Sequence, residues 1–127
     1  MIFDWITYIY LADELLTGTD EAYYRSAISR AYYGVFCIAR DRKGYSDYKK
    51  SDAHSKVIEN YVKSSDEDER IIATILIKLR RARNYADYDA NVVINREMAK
   101  MMVNSAKAIL DILGIQYDDF KNNGGKE

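Results

Sequence analysis

Apolar residues recur every three to four positions along most of the chain, the period of an amphipathic helix. Five helical segments follow from that pattern. The first covers about residues 3–16, with Trp5, Ile6, Ile9, Tyr10, Ala12, Leu15 and Leu16 on its apolar face. Thr17-Gly18-Thr19-Asp20 stops it and offers Thr19 or Asp20 as a cap for the second, which runs over about 20–43 and closes at Gly44. A polar loop with tyrosines follows. Ser51 is then expected to cap a short third helix, about 52–63, carrying Ala53, Val57, Ile58 and Tyr61. Ser65 is expected to cap the fourth, whose acidic first turn (Asp66, Glu67, Asp68, Glu69) complements the helix dipole. The pattern breaks over Tyr88–Ile94. Asn95 starts a fifth helix that runs through Ala106, Ile109, Leu110 and Leu113 to Gly114, with Met98, Met101 and Met102 read as core filling. The expected fold is all-α: an antiparallel up-and-down bundle of four main helices plus one short helix over residues 1–117, with a flexible polar tail over 118–127.

Two positions do not fit a plain bundle. On the wheel of residues 69–87 (ERIIATILIKLRRARNYAD), Ile72, Ile75, Leu76, Leu79, Ala82 and Ala86 share one face, and Arg83 falls near its middle. A guanidinium facing a core costs several kcal/mol of desolvation unless it is paired or opens into a wet cleft. Asp87, four residues on, lies on the same flank, so an internal ion pair is one reading. The other is an anion site in which Arg83, Asn84 and Tyr88 face a phosphate. The second helix is unusual in a different way. Its broad apolar face (Tyr24, Ala27, Ile28, Ala31, Tyr32, Val35, Ile38, Ala39) is backed by Ser26, Ser29, Tyr33, Phe36 and Cys37, edged by Arg25, Arg30 and Arg40. Such a weakly polar second side is expected to be covered, either by this chain or by a second copy of it.

Composition narrows the function classes. The 127 residues suit one domain, and the formal net charge of -1 means that any nucleic-acid surface must be a local patch. Proline is absent, and tyrosine occurs 12 times against 3 Phe and 1 Trp, so ring packing with a polar tip is heavily used. The lone Cys37, the absence of a roughly 20-residue apolar span and the early Asp4 lead to the expectation of a cytoplasmic protein without leader or membrane span. His54 has no Cys or His partner, so no metal is expected, and it reads as a surface or helix-terminal imidazole. The single Gly pair, Gly124-Gly125, lies in the tail, so no phosphate loop is present and no cofactor is expected.

The segments RSAISRAYYGVF (25–36) and LRRARNYADYD (79–89) resemble the HEPN domain family, in particular its small stand-alone prokaryotic branch. The resemblance extends from Trp5 to about Leu113. It implies a helical up-and-down bundle, a homodimer, and a shared cleft where the motif arginines of the two copies approach each other. Relatives of this kind include metal-independent ribonucleases of toxin and defence systems, noncatalytic RNA or nucleotide binders, and partners of minimal nucleotidyltransferases. The ribonuclease members carry a histidine a few positions after the Arg–polar pair. Here Arg83-Asn84 is followed by Tyr88, Asp89 and Ala90, none of which shuttles protons near neutrality as imidazole does.

The expected function is therefore a noncatalytic or weakly active dimer binding RNA, a nucleotide or a nucleotidyltransferase partner in a toxin–antitoxin or defence module. Its ligand-binding residues are Arg83, Asn84, Asp87 and Tyr88, with Arg25, Ser29 and Tyr33 lining the cleft. Two alternatives stand beside it. One is a metal-independent ribonuclease in which Arg83 stabilises phosphate charge and Tyr88 or His54 moves the proton. The other is a structural assembly module in which Asp87 consumes Arg83.

Overall fold

In a computed structural model describing residues 2–117, five helices and no strand are found among the described residues. They are α1 (Ile6–Leu15), α2 (Glu21–Arg42), α3 (Ala53–Val62), α4 (Glu67–Tyr88) and α5 (Arg96–Ile112). Together they form the expected antiparallel bundle. The helix α2 is its centre and packs against all four others. The tail expected over 118–127 lies outside the described residues. No described helix is long and apolar enough to cross a membrane.

Helix ends depart from the sequence reading by one to three residues, for local reasons. Helix α1 starts late because Asp4 turns the chain: its carboxylate accepts from the Ile6 N–H and its carbonyl from the Thr7 hydroxyl. Phe3, Trp5 and Tyr8 then close an edge-to-face aromatic cluster over that turn. Helix α1 is consequently as short as α3, at 10 residues each. Ser51 and Ser65 are not the caps. Asp52 and Asp66, one residue later, take those positions, and the Asp66 carboxylate accepts from the Asp68 N–H. At α5 the Asn95 side chain accepts from Met98 as expected. The C-terminal stops are Gly44 and Gly114, at φ 76° and 71°, the left-handed region that glycine enters without strain.

The core runs along α2, where Ala27, Ile28, Ala31, Tyr32, Val35 and Ala39 are buried against Ile9, Leu76, Leu79, Val103 and Leu110. Helix α1 comes close to α2 over Gly34, where a Cβ would lie 2.7 Å from Ile9 Cδ1. The second side of α2 is covered by this chain: Ser29, Phe36 and Cys37 are buried, leaving Ser26 exposed and Arg30 and Tyr33 half-buried. Burial also raises the Cys37 thiol pKa above its usual value. The methionines of α5 correct an expectation. Ala99, Val103, Ala106, Ile109 and Leu110 take the buried stripe, so Met98 and Met101 lie at the surface, 40% and 62% exposed. A second buried charge, Asp13, joins α1 to the C-terminal part of the chain, pairing with Lys107 at 2.8 Å and accepting from the Tyr117 hydroxyl.

Candidate functional site

Arg83 is buried, with 7% of its surface exposed, as its place on the α4 wheel requires. It is nevertheless poorly compensated. Its Nε is sealed from solvent and has no hydrogen-bond partner, while Nη1 approaches Asp87 Oδ2 only to 4.0 Å. Asp87 is meanwhile engaged by Ser29, whose hydroxyl donates to the same Oδ2 at 3.2 Å. Instead of carboxylates, rings surround the guanidinium. Its Cζ lies 5.2 Å from the Tyr33 centroid, 5.4 Å from that of Tyr32 and 5.9 Å from that of Tyr88. Ring quadrupoles attract a cation without neutralising it, so the charge stays available to an anion. A second arginine joins from α2. Arg30 lies over Tyr33 at 5.3 Å and over Tyr8 at 4.7 Å, and its Nη2 donates to Ser29 Oγ at 3.3 Å. Two guanidiniums thus share the Tyr33 ring, and of the two only Arg83 approaches the Asp87 carboxylate, to 4.0 Å.

The other candidate residues divide by location. Ser29, Tyr33, Asp87 and Tyr88 meet around Arg83, with Tyr88, the last residue of α4, 76% exposed. Asn84 points to the outside of α4, onto a groove shared with α3. Arg25 lies at the edge in a shallow depression with Asp87 and Tyr88, but its donors are spent on the backbone. Nη1 donates to the Tyr85 and Ala86 carbonyls at 3.2 and 3.0 Å, and Nη2 to that of Val92. Its Nε meets Glu21 Oε2 at 3.0 Å, and the same carboxylate accepts from the Ile94 N–H at 2.9 Å. First that N–H and then Arg25 hold the Glu21 carboxyl below its usual pKa. Arg25 and Glu21 therefore cap the C-terminus of α4 and fix the turn after it.

Sequence reasoning missed Arg30 and Tyr32 as site neighbours, and it placed His54 at a helix terminus, where it stands as the second residue of α3, without its ring contacts. The imidazole is half-buried: it stacks on Phe36 at 4.2 Å between centroids and contacts the Tyr32 and Tyr33 rings. Its Nδ1 lies 2.6 Å from the Tyr32 hydroxyl. Burial raises the Tyr32 pKa, so this phenol stays neutral, and the imidazole tautomer sets which of the two donates. Burial first, then the charges of Arg80, Arg83 and Arg40, push the His54 pKa down to about 4. An imidazole so depressed is neutral at pH 7 and a weak base, poorly suited to general acid–base chemistry near neutrality.

This depression has a measurable sign. The unfolded chain binds a proton at His54 below its ordinary pKa of 6.5, whereas the folded chain resists until about 4. The neutral ring's stabilising contribution is thus complete above about pH 6.5 and drains away as the pH falls toward 4. After allowance for partial solvent screening it amounts to about 1–2 kcal/mol. The His54 C2–H resonance should titrate with a midpoint near 4. A midpoint near 6.5 would show a solvent-facing ring and undo the Tyr32–His54 assignment.

Among the described residues no group of His, Cys, Asp and Glu is placed to hold a metal ion. What the arrangement offers chemically is a buried, incompletely paired guanidinium packed among aromatic rings, the kind of group that pairs with a phosphate or another oxyanion. No family model, no curated protein and no solved structure matches this chain, so the site is defined by its own geometry.

Proposed function

We propose that this chain is a noncatalytic or weakly active HEPN-type protein that acts as a dimer and binds the phosphate of RNA or of a nucleotide at Arg83. The observation that carries this reading is the buried guanidinium whose Nε lacks a partner and whose nearest carboxylate stands at 4.0 Å. Buried polar groups are almost always hydrogen-bonded, so this exception asks for an explanation, and an anionic ligand supplies one. Arg30, Ser29 and Tyr33 support the reading by adding charge, a hydroxyl and a ring at the same point. The residue pattern of the two HEPN-like segments supports the dimer and the toxin–antitoxin or defence setting, with a minimal nucleotidyltransferase as a partner. The ribonuclease alternative is disfavoured by Tyr88, Asp89 and Ala90 in place of a histidine and by the depressed basicity of His54.

Titration of the purified protein with a labelled short RNA and with ATP and UMP tests the proposal. Wild type binds at least one of them, Arg83→Ala binds at least about tenfold more weakly, and neither protein cleaves RNA in the absence of metal. Wild type that binds no RNA and no nucleotide removes the reading. Metal-free cleavage that depends on Arg83 converts it into the ribonuclease alternative.

A further inference from the structure

A groove of about 500 Å³ lies between α3 and α4. Buried Ile58 forms its floor, and Val62 and Ile77 stand beside it, 47% and 42% exposed. Arg80 and Arg81 line the α4 side, and among the described residues neither forms an ion pair. Arg80 makes only a 3.5 Å contact to the Ser55 hydroxyl. The groove's one carboxylate, Glu59, is already held by Lys63 at 2.9 Å. In a chain of net charge -1 this is a local cationic excess beside exposed aliphatic surface. A solvated arginine or a single exposed valine is ordinary. Together in one concavity they make an apolar centre edged by arginine, the composition of a protein interface.

The groove's chemistry specifies what covers it. The aliphatic surface asks for apolar side chains. A nucleic-acid backbone would leave it wet, and no aromatic ring lines the groove to take a base. The two unpaired guanidiniums ask for carboxylates, which they meet fork to fork. Both walls are helices, whose backbone groups are paired internally, and no strand edge is present among the described residues. An extended peptide therefore finds no ladder to join, so the occupant must satisfy its own backbone as a helix. Length agrees. The groove spans Ser55–Val62 on α3 and Ile77–Asn84 on α4, a rise of about 10 Å, which two turns of a helix cover with anchors at i, i+3 or i+4, and i+7. Arg80 and Arg81 follow Ile77 by three and four residues, so the matching acid sits about one turn from an apolar anchor.

We propose that the α3–α4 groove docks an acidic amphipathic helix of a partner protein, with its apolar residues on Ile58, Val62 and Ile77 and its carboxylates on Arg80 and Arg81. This goes beyond the phosphate reading and does not draw on Arg83, which lines no part of the groove. The test is a selection on the full chain from a displayed library of helix-constrained four-turn peptides, randomised over apolar, acidic, basic and amide side chains. Enriched peptides should carry Leu, Ile or Phe at three- and four-residue spacing with Asp or Glu one turn away. Fluorescence anisotropy should show their binding weaken as salt rises. Arg80→Ala/Arg81→Ala should weaken it by about tenfold and flatten the salt dependence. Val62→Asp, at an exposed position, should weaken it by about tenfold with the helical circular-dichroism signal intact. Lys49→Ala/Lys50→Ala, exposed lysines outside the groove, should bind as wild type does. No enrichment, enrichment of basic or neutral peptides, or binding that survives both groove variants overturns the proposal. Displacement of the peptide by hexauridylate would put nucleic acid in the groove instead, and a change of oligomeric state in the groove variants would put a second copy of this chain there; either result also overturns it.

Discussion

Replacing Arg83 with methionine is expected to stabilise the protein by about 1–3 kcal/mol while abolishing its anion binding. The reasoning is a comparison of two electrostatic terms. Burying a guanidinium costs several kcal/mol of hydration, and only close, well-aligned acceptors return that energy. Here the nearest carboxylate oxygen is 4.0 Å away and Nε has no acceptor. The three surrounding tyrosine rings supply a further attraction of about 0.5–2 kcal/mol each, which is incomplete compensation. A methionine of similar length keeps the packing against Tyr32 and Tyr33 and removes the charge. Asp87 tolerates the loss, because its side chain is 26% exposed and Ser29 already donates to it. Chemical denaturation of wild type and variant, paired with a nucleotide titration, reads both effects. A variant less stable by about 3 kcal/mol or more would mean that the Arg83–Asp87 pair is structural, and the case for a ligand would go with it.

A larger change in the opposite direction is expected at Arg25. Its guanidinium serves three backbone carbonyls across some sixty residues of sequence and braces Glu21, which in turn holds the Ile94 N–H. Arg25→Ala removes the guanidinium from the Ala86 and Val92 carbonyls at once, leaving them partly shielded and unsatisfied, while Tyr85 keeps the Asp89 N–H. The expected loss is about 3–4 kcal/mol, with the turn after α4 loosened ahead of global unfolding. Hydrogen exchange locates the effect: the Asp89 and Ile94 amides, which donate to Tyr85 and Glu21, should lose protection selectively. Loss of less than about 1 kcal/mol, or uniform protection, would show that water replaces the guanidinium without cost.

These two arginines also show what a sequence discloses. Arg83 could be read because helical periodicity fixes which way a residue faces, and Asp87 because a four-residue step returns to the same flank. The bundle was legible for the same reason, each core face being a local repeat. Arg25 was legible as a residue near the cleft but not as a cap, since its acceptors lie sixty or more positions away and backbone carbonyls leave no mark in a sequence. The helix-terminal place of His54 was legible, but its contacts with Tyr32 and Phe36 were not, since they depend on how α3 lies across α2. The surface placement of Met98 and Met101 was hidden because methionine suits either side of a helix, and only the Ala99, Val103 and Ala106 stripe decides between them. Arg30 was visible merely as an edge residue of α2, because its role arises where Tyr8 of α1 and Tyr33 converge on it.

The enclosed thiol of α2 has a practical corollary. Cys37 is the chain's one sulfhydryl, 6% exposed, and burial holds it in the unreactive protonated form. A water-soluble alkylating reagent consequently reaches it through transient opening of the central helix, so the labelling rate at rising reagent concentration reports how often that helix breathes. Ligand-dependent slowing of that rate would register occupancy without any engineered probe.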